Sequence, residues 1–141
     1  MELGPEIEAS LRTIDISNTL QEAKKPEEII LREVSRCGYS EDATFAIKLA
    51  LEEAMTNAVK HGNGNDRTKR ITVRYSISPE QAVILVRDQG EGFDPDGVPD
   101  PTEPSRLSLP SGRGIMLMRA YMTHIAFRAG GSEVCLIKRN E

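Results

Sequence analysis

Between Tyr39 and Asn63 the chain reads YSEDATFAIKLALEEAMTNAVKHGN, a stretch that fits a long, mostly buried helix and little else. Ala43, Ile47, Ala50, Ala54 and Ala58 recur every three or four residues, which is the helical period, and Phe45 and Leu49 widen the buried face. Ser40 stands at the N-cap position, Glu41 and Asp42 place negative charge in the first turn, and Gly62 occupies the place of a C′ glycine.

Three polar residues interrupt this apolar cylinder in a regular way. Glu53, Asn57 and His61 follow at i, i+4 and i+8, so they rise from nearly one line beside the alanines. Two readings stay open on the helix alone. The stripe is solvated, as Lys48, Glu52 and Lys60 are expected to be, or the small alanines let a ligand come close while carboxylate and amide reach into a cleft.

The rest of the chain supplies a sheet for this helix to cover. Residues 6–16 alternate Ile7, Ala9 and Leu11 and then slip phase at Ile14 and Ile16, which predicts a first strand with a bulge. From Asn18 to Cys37 the period is helical, with Ile29, Ile30, Val34 and Cys37 on one side, Gly38 as the stop, and Pro26 as an interruption or a start. GNGNDRTK is a loop whose Arg67 and Lys69, with the adjoining Arg70, read as solvated. Ile71, Val73, Tyr75 and Ile77 then alternate as a strand, Ser78-Pro79-Glu80 turns, and the run from Val83 to Val86 is a strand buried on both faces.

A different composition begins at Asp88. From there to Gly114 lie Pro95, Pro99, Pro101, Pro104 and Pro110 together with many acids, the mark of a functional lid or a disordered insertion. GRGIMLMRAYM follows as a short helix opened by glycines, and HIAFRAGGSEVCLIKR as a hairpin turned at Gly130-Gly131. The order predicts one α+β domain over residues 1–141, a two-layer α/β sandwich with helices on one face of a mixed sheet.

Composition narrows the function. Lys and Arg number 18 against 22 Asp and Glu, so the net charge of −4 gives no general attraction to nucleic acid or anionic lipid. The N-terminal MELGPEIEAS lacks a basic start and an apolar run, which predicts a cytoplasmic protein that does not engage a membrane. Cys37 and Cys135 have no CxxC pattern and read as buried small apolar residues.

Two further motifs join the helical stripe. Asp88-Gln89-Gly90-Glu91-Gly92 stands where the inner strand ends; a carboxylate there suits a ligand amino group, and flanking glycines admit a flat ring, although a tight turn with solvated acids has the same sequence. Ser111-Gly112-Arg113-Gly114 opens a helix, where clustered N–H groups and the positive end of the dipole suit a phosphate. The spacing matches neither a Walker A loop nor a dinucleotide fingerprint.

Taken in order, ExxxNAxxH (Glu53, Asn57, Ala58, His61), DxGxG (Asp88, Gly90, Gly92) and GxG before a helix (Gly112, Gly114) resemble the N, G1 and G2 boxes of the Bergerat-type ATPases. EEAMTNAVKHGN and the chain length look most like the anti-sigma factor serine/threonine kinases of partner-switching systems, over roughly residues 20–139.

That resemblance implies ATP and Mg²⁺ as cofactors, with Asn57 as the metal ligand and Asp88 accepting the adenine amino group. Gly90, Gly92, Gly112, Arg113 and Gly114 would complete the nucleotide site, and Glu53 would be the general base in phosphoryl transfer to a protein hydroxyl. A lid over about residues 93–111 would close on the γ-phosphate. The implied partners are a STAS-domain anti-anti-sigma protein, a sigma factor and a second copy of the chain in a homodimer. His61 is expected to serve only packing or hydrogen bonding at the helix end. Pro110 stands where such kinases often carry a basic residue, which leaves Arg106 or Arg113 as substitutes. The rival readings are a non-catalytic, nucleotide-sensing module and an adaptor without a nucleotide site.

Overall fold

In a computed structural model of the protein, residues 3–92 and 112–141 are described. The lid expected over 93–111, with Arg106, Pro110 and Ser111, lies outside them. The elements in chain order are α1 (Pro5–Ser10), β1 (Arg12–Ser17), α2 (Leu20–Arg36), α3 (Glu41–Thr56), β2 (Arg70–Ile77), β3 (Gln81–Arg87), α4 (Gly112–Tyr121), β4 (His124–Arg128) and β5 (Glu133–Arg139). The five strands form one sheet in the order β1-β2-β3-β5-β4, and each neighbouring pair is antiparallel. The fold is α+β as expected, but the sheet is not mixed: every neighbouring pair is antiparallel, because the connection through α4 takes β4 to the edge and leaves the place beside β3 to β5.

Helices α2 and α3 pack against each other and α3 also packs on α4. Beneath them the main core gathers Ile30, Ile47 and Leu51 from the helices and Ile71, Val73, Ile84 and Leu136 from the strands, all fully buried. The alternation in β2 put Ile71, Val73 and Tyr75 on this inner face. Ala82 to Val86 of β3 are buried throughout because the opposite face is covered as well.

That second cover corrects the expectation for the N-terminus. Residues 5–10 are helical, with Pro5 at the start and Glu6 and Glu8 in the first turn. Ile7 and Leu11, four apart, pack with Leu3 on a separate cluster of Val83, Leu85, Cys135 and Ile137 on the outer face of the sheet. So the helices do not all lie on one face. The phase slip before Ile14 marks the boundary between α1 and β1, and β1 pairs with β2 in continuous register without a bulge.

Helix α2 begins before Pro26, because Thr19 caps it: the Thr19 hydroxyl accepts a hydrogen bond from the Glu22 N–H at 3.1 Å. Pro26 is inside the helix with its ring buried. Gly38 ends it with φ +74°, the left-handed conformation that favours glycine. Ile29 is exposed rather than part of the buried side, Phe45 of α3 likewise stands exposed instead of widening the buried face, Leu49 and Cys37 are only half-buried, and Cys135 is buried as expected. No helix among the described residues is long and apolar enough to cross a membrane.

Candidate functional site

Helix α3 starts as expected, the Ser40 hydroxyl accepting from the Ala43 N–H at 3.0 Å, but it does not end as an α-helix. From Asn57 to Gly62 the chain continues as a π-helical turn, in which each residue advances less round the axis than in an α-turn. A spacing of four overshoots a full α-turn and falls short of a π-turn. The widened turn therefore reverses the drift of the stripe and keeps His61 over Asn57. Ala54, Asn57, Ala58, His61 and Gly62 all line one cleft of about 400 Å³.

The opposite wall is the turn after β3. Asp88, Gly90, Glu91 and Gly92 line it, with Met118 from α4 and Phe127, Gly131, Ser132 and Val134 from the second hairpin. Asp88 is fixed from two sides: its N–H donates to the Ser132 carbonyl at 2.9 Å, and its Oδ1 accepts from the Gly90 N–H at 2.8 Å. Burial raises its pKa above the ordinary 3.8, and the Gly90 N–H and the charges of Lys69 and Arg87 oppose that rise.

Three glycines make this packing possible. A Cβ on Gly62 would collide with the Asp88 carboxylate, one on Gly90 with the Gly62 carbonyl, and one on Gly92 with the Gly130 carbonyl. Gly62 is thus not a C′ glycine. It is the last residue of the π turn, and it is small because Asp88 fills the space a side chain would need. The left-handed positions fall beyond it, at Gly64 and Asn65, both with φ +59°.

A buried amide pair ties the two walls together. Asn63 Oδ1 accepts from the Gln89 N–H at 2.8 Å, and Asn63 Nδ2 donates to Asn18 Oδ1 and to the Arg70 carbonyl, both at 3.0 Å. Asn18 Nδ2 in turn donates to the Asp66 carbonyl at 3.1 Å. Both amides are buried, at 1% and 2% exposure, so their full pairing is what makes them tolerable there.

Glu53 and the glycines of α4 meet beside this cleft. A Cβ on Gly114 would lie 2.8 Å from Glu53 Oε2 and 3.6 Å from Asn57 Nδ2, so the first turn of α4 rests directly on the acid-amide pair. The structure therefore brings Asn57, Asp88, Gly90 and Gly92 to one cleft, with Glu53 and Gly114 next to Asn57. Gly112 is the first residue of α4, and Arg113 is exposed and does not line the cleft. Lys69, expected to be solvated, is half-buried at the cleft wall.

Sequence reading missed Asn63, Gly62, Lys69 and Ser132 as site residues. The run His61-Gly62-Asn63 was the available signal for the first two, but it reads equally as a helix end. Ser132 contributes through its carbonyl, which no side-chain pattern reports. Among the described residues no group of three or more His, Cys, Asp or Glu side chains is placed to hold a metal.

Residues 16–138 match the family model described as a histidine kinase-like ATPase domain. A serine-protein kinase RsbW of Listeria monocytogenes is 32% identical over 119 residues, covering 76% of this chain and 76% of the relative. One from Bacillus velezensis is 30% identical over 111 residues, covering 74% and 69%. One from Bacillus licheniformis is 42% identical over 60 residues, covering 43% of this chain and 38% of that protein. The crystal structure of the RsbU and RsbW domains of a Mycobacterium tuberculosis protein superposes with a TM-score of 0.61 at 18% identity, over 93% of this chain and 32% of the other, a likeness of fold.

Proposed function

The chain belongs to the histidine kinase-like ATPase family, and within it to the RsbW serine-protein kinases, and from that premise we propose that it binds Mg·ATP in the cleft and transfers the γ-phosphoryl group to a serine or threonine of a STAS-domain anti-anti-sigma protein. It does so in the cytoplasm, and it regulates transcription by holding a sigma factor when that partner is phosphorylated. The single observation that carries the reading is convergence: Asn57 and Asp88 face one cleft, and the Glu53 carboxylate lies one helical turn from Asn57 against Gly114.

Each group fits its role by its surroundings. Asp88, pinned by the Gly90 N–H and lodged between glycines, is an acceptor for the exocyclic amino group of adenine, and the absent Cβ atoms of Gly62, Gly90 and Gly92 let the walls of the cleft close up around that carboxylate. Asn57 offers a side-chain oxygen to Mg²⁺, which takes most of its ligands from phosphates and water and so needs no protein cluster. When bound, the ion would neutralise triphosphate charge.

Glu53 is the general base. Its place beside Asn57 sets a proton acceptor next to the metal ligand, where the attacking hydroxyl must lose its proton to the carboxylate as the new P–O bond forms. Gly112 and Gly114, without side chains in the first turn of α4, leave its N–H groups able to meet phosphate oxygens. Arg113, exposed on that turn, is the cation available to the γ-phosphate there.

Titration calorimetry and transfer of labelled phosphate to a STAS-domain protein from the same genome test this reading. Glu53→Gln is expected to keep nucleotide affinity and to lose transfer by about 10²–10⁴-fold, while Asn57→Ala loses magnesium-dependent binding. Nucleotide binding that ignores magnesium, or transfer that survives Glu53→Gln, overturns it. Unimpaired partner control by Glu53→Gln in cells would favour a non-catalytic nucleotide sensor.

A further inference from the structure

We propose that Lys69 is a second base-recognition residue of the cleft, its ammonium donating a hydrogen bond to a ring nitrogen of adenine while Asp88 accepts from the amino group beside that nitrogen. The proposal deepens the nucleotide reading of the cleft and rests on it.

Backbone contacts fix Lys69 at the cleft wall. The Lys69 N–H donates to the Asp66 carbonyl at 3.1 Å, and the same carbonyl accepts from the buried Asn18 amide at 3.1 Å. Asp66 closes its own turn, its Oδ1 accepting from the Thr68 N–H at 2.9 Å and from the Thr68 hydroxyl at 2.7 Å. On the other side the Arg70 N–H donates to Gln89 Oε1 at 2.6 Å. Asn63 spans these two residues, accepting from the Gln89 N–H at 2.8 Å and donating to the Arg70 carbonyl at 3.0 Å. Gln89 follows Asp88 and Arg70 follows Lys69, so one closed ring of hydrogen bonds sets the spacing between carboxylate and ammonium.

The two side chains share the cleft without neutralising each other. Both residues line it, and Lys69 is half-buried there while Arg67 and Arg70 are exposed. Asp88 takes the Gly90 N–H, and Lys69 forms no ion pair among the described residues. At Asp88 burial raises the pKa most, and among the charges that oppose it Lys69 comes before Arg87, although Arg87 is the adjoining residue. A charge that is felt but not paired leaves the space between the two groups to a ligand with a donor for the carboxylate next to an acceptor for the ammonium. Adenine has that order on its edge, an amino group flanked by the ring acceptors N1 and N7.

Position decides between base and phosphate. Glu53 and Gly114 meet a turn before Asn57, whereas Lys69 lies beyond Gly62, where the π turn meets Asp88. The phosphates belong to the first end, so the group facing Lys69 is the base.

The test is calorimetry with Mg·ADP and its 1-deaza and 7-deaza analogues, comparing wild type with Lys69→Met and Lys69→Arg. Lys69→Met keeps the aliphatic stem and removes the donor. It is expected to weaken Mg·ADP about tenfold with an unchanged urea midpoint, and Lys69→Arg to restore most of the loss. Wild type should disfavour the analogue that lacks the contacted nitrogen, and Lys69→Met should discriminate against that analogue about tenfold less, which also tells N1 from N7. Equal discrimination by wild type and Lys69→Met against both analogues overturns the proposal, as does an unchanged affinity of Lys69→Met for Mg·ADP. A wild type that binds no adenine nucleotide defeats the nucleotide reading itself, and the proposal with it.

Discussion

The two ends of α3 are built on opposite principles. At its C-terminal end buried polar groups are held in a network: Asn63 by Gln89, Asn18 and Arg70, and Asp88 by Gly90 and Ser132. At its N-terminal end an apolar ring, Phe45, stands more than half in water with one aromatic neighbour. A small ligand must find its partners already oriented, and orienting them in a buried wall leaves no slack. The difference predicts a steep gradient of mutational cost along a single helix.

The largest effect is expected at Gly90. A Cβ there meets backbone, the Gly62 carbonyl at the end of the π turn, and backbone cannot rotate away as a side chain can. Gly90→Ala is expected to destabilise by about 1–3 kcal/mol, as overpacking does, and to weaken nucleotide binding at least about a hundredfold by moving Asp88. Urea unfolding and calorimetry read both. Gly38→Ala is the control: nothing lies near its Cβ, it is outside the cleft, and only the left-handed φ of +74° is strained, so it should cost about 1 kcal/mol and leave binding intact.

Next comes Asn63→Ala, which strips one wall of its tie to the other. Asn18 Oδ1, the Arg70 carbonyl and the Gln89 N–H each lose a partner, and about 2–3 kcal/mol of stability should go with them. If unfolding in urea shows less than 1 kcal/mol, the walls are held by packing and not by this amide.

These two residues also show what a sequence conceals. The helical period of α3, the alternation of β2 and the apolar run of β3 are local patterns, each legible because a regular element repeats its environment every turn or every second residue. Asp88 and Asn57 were legible because their spacing to glycines and alanines is local too. Gly62 was misread because a C′ glycine and a glycine cleared for a distant carboxylate look identical in sequence; only the approach of Asp88 separates them. Asn63 was missed because its partner Asn18 is 45 residues away. At the N-terminus, Ile7, Ala9 and Leu11 satisfy a period of two, and Ile7 with Leu11 also satisfies a spacing of four. The outer cluster of Val83, Leu85, Cys135 and Ile137, which needed covering, decided for the helix.

A smaller effect lies midway, where α2 faces α3. Burial first, then a hydrogen bond and the like charge of Glu52, push the Glu27 carboxyl up to about 7 from 4.5, against the lowering influence of Lys48 and Lys24. Its folded pKa is above its unfolded one, so the proton favours the folded state. The contribution is complete below pH 4.5 and is lost as pH rises through about 7. Because Glu27 is only half-buried, screening by solvent reduces this to about 1 kcal/mol. Melting temperatures between pH 4.5 and 7 should fall with rising pH in wild type and stay flatter in Glu27→Gln; equal slopes would mean the two carboxyls do not share a proton.

The smallest effect on stability belongs to Phe45→Ser, and its smallness is what sharpens the contrast. The ring is 56% exposed and rests on Tyr121, itself 39% exposed, so little of its surface leaves water on folding and the change should stay within about 0.5 kcal/mol. A loss of 2 kcal/mol or more in urea unfolding would place the ring among the structural residues, and the two ends of α3 would no longer differ in kind.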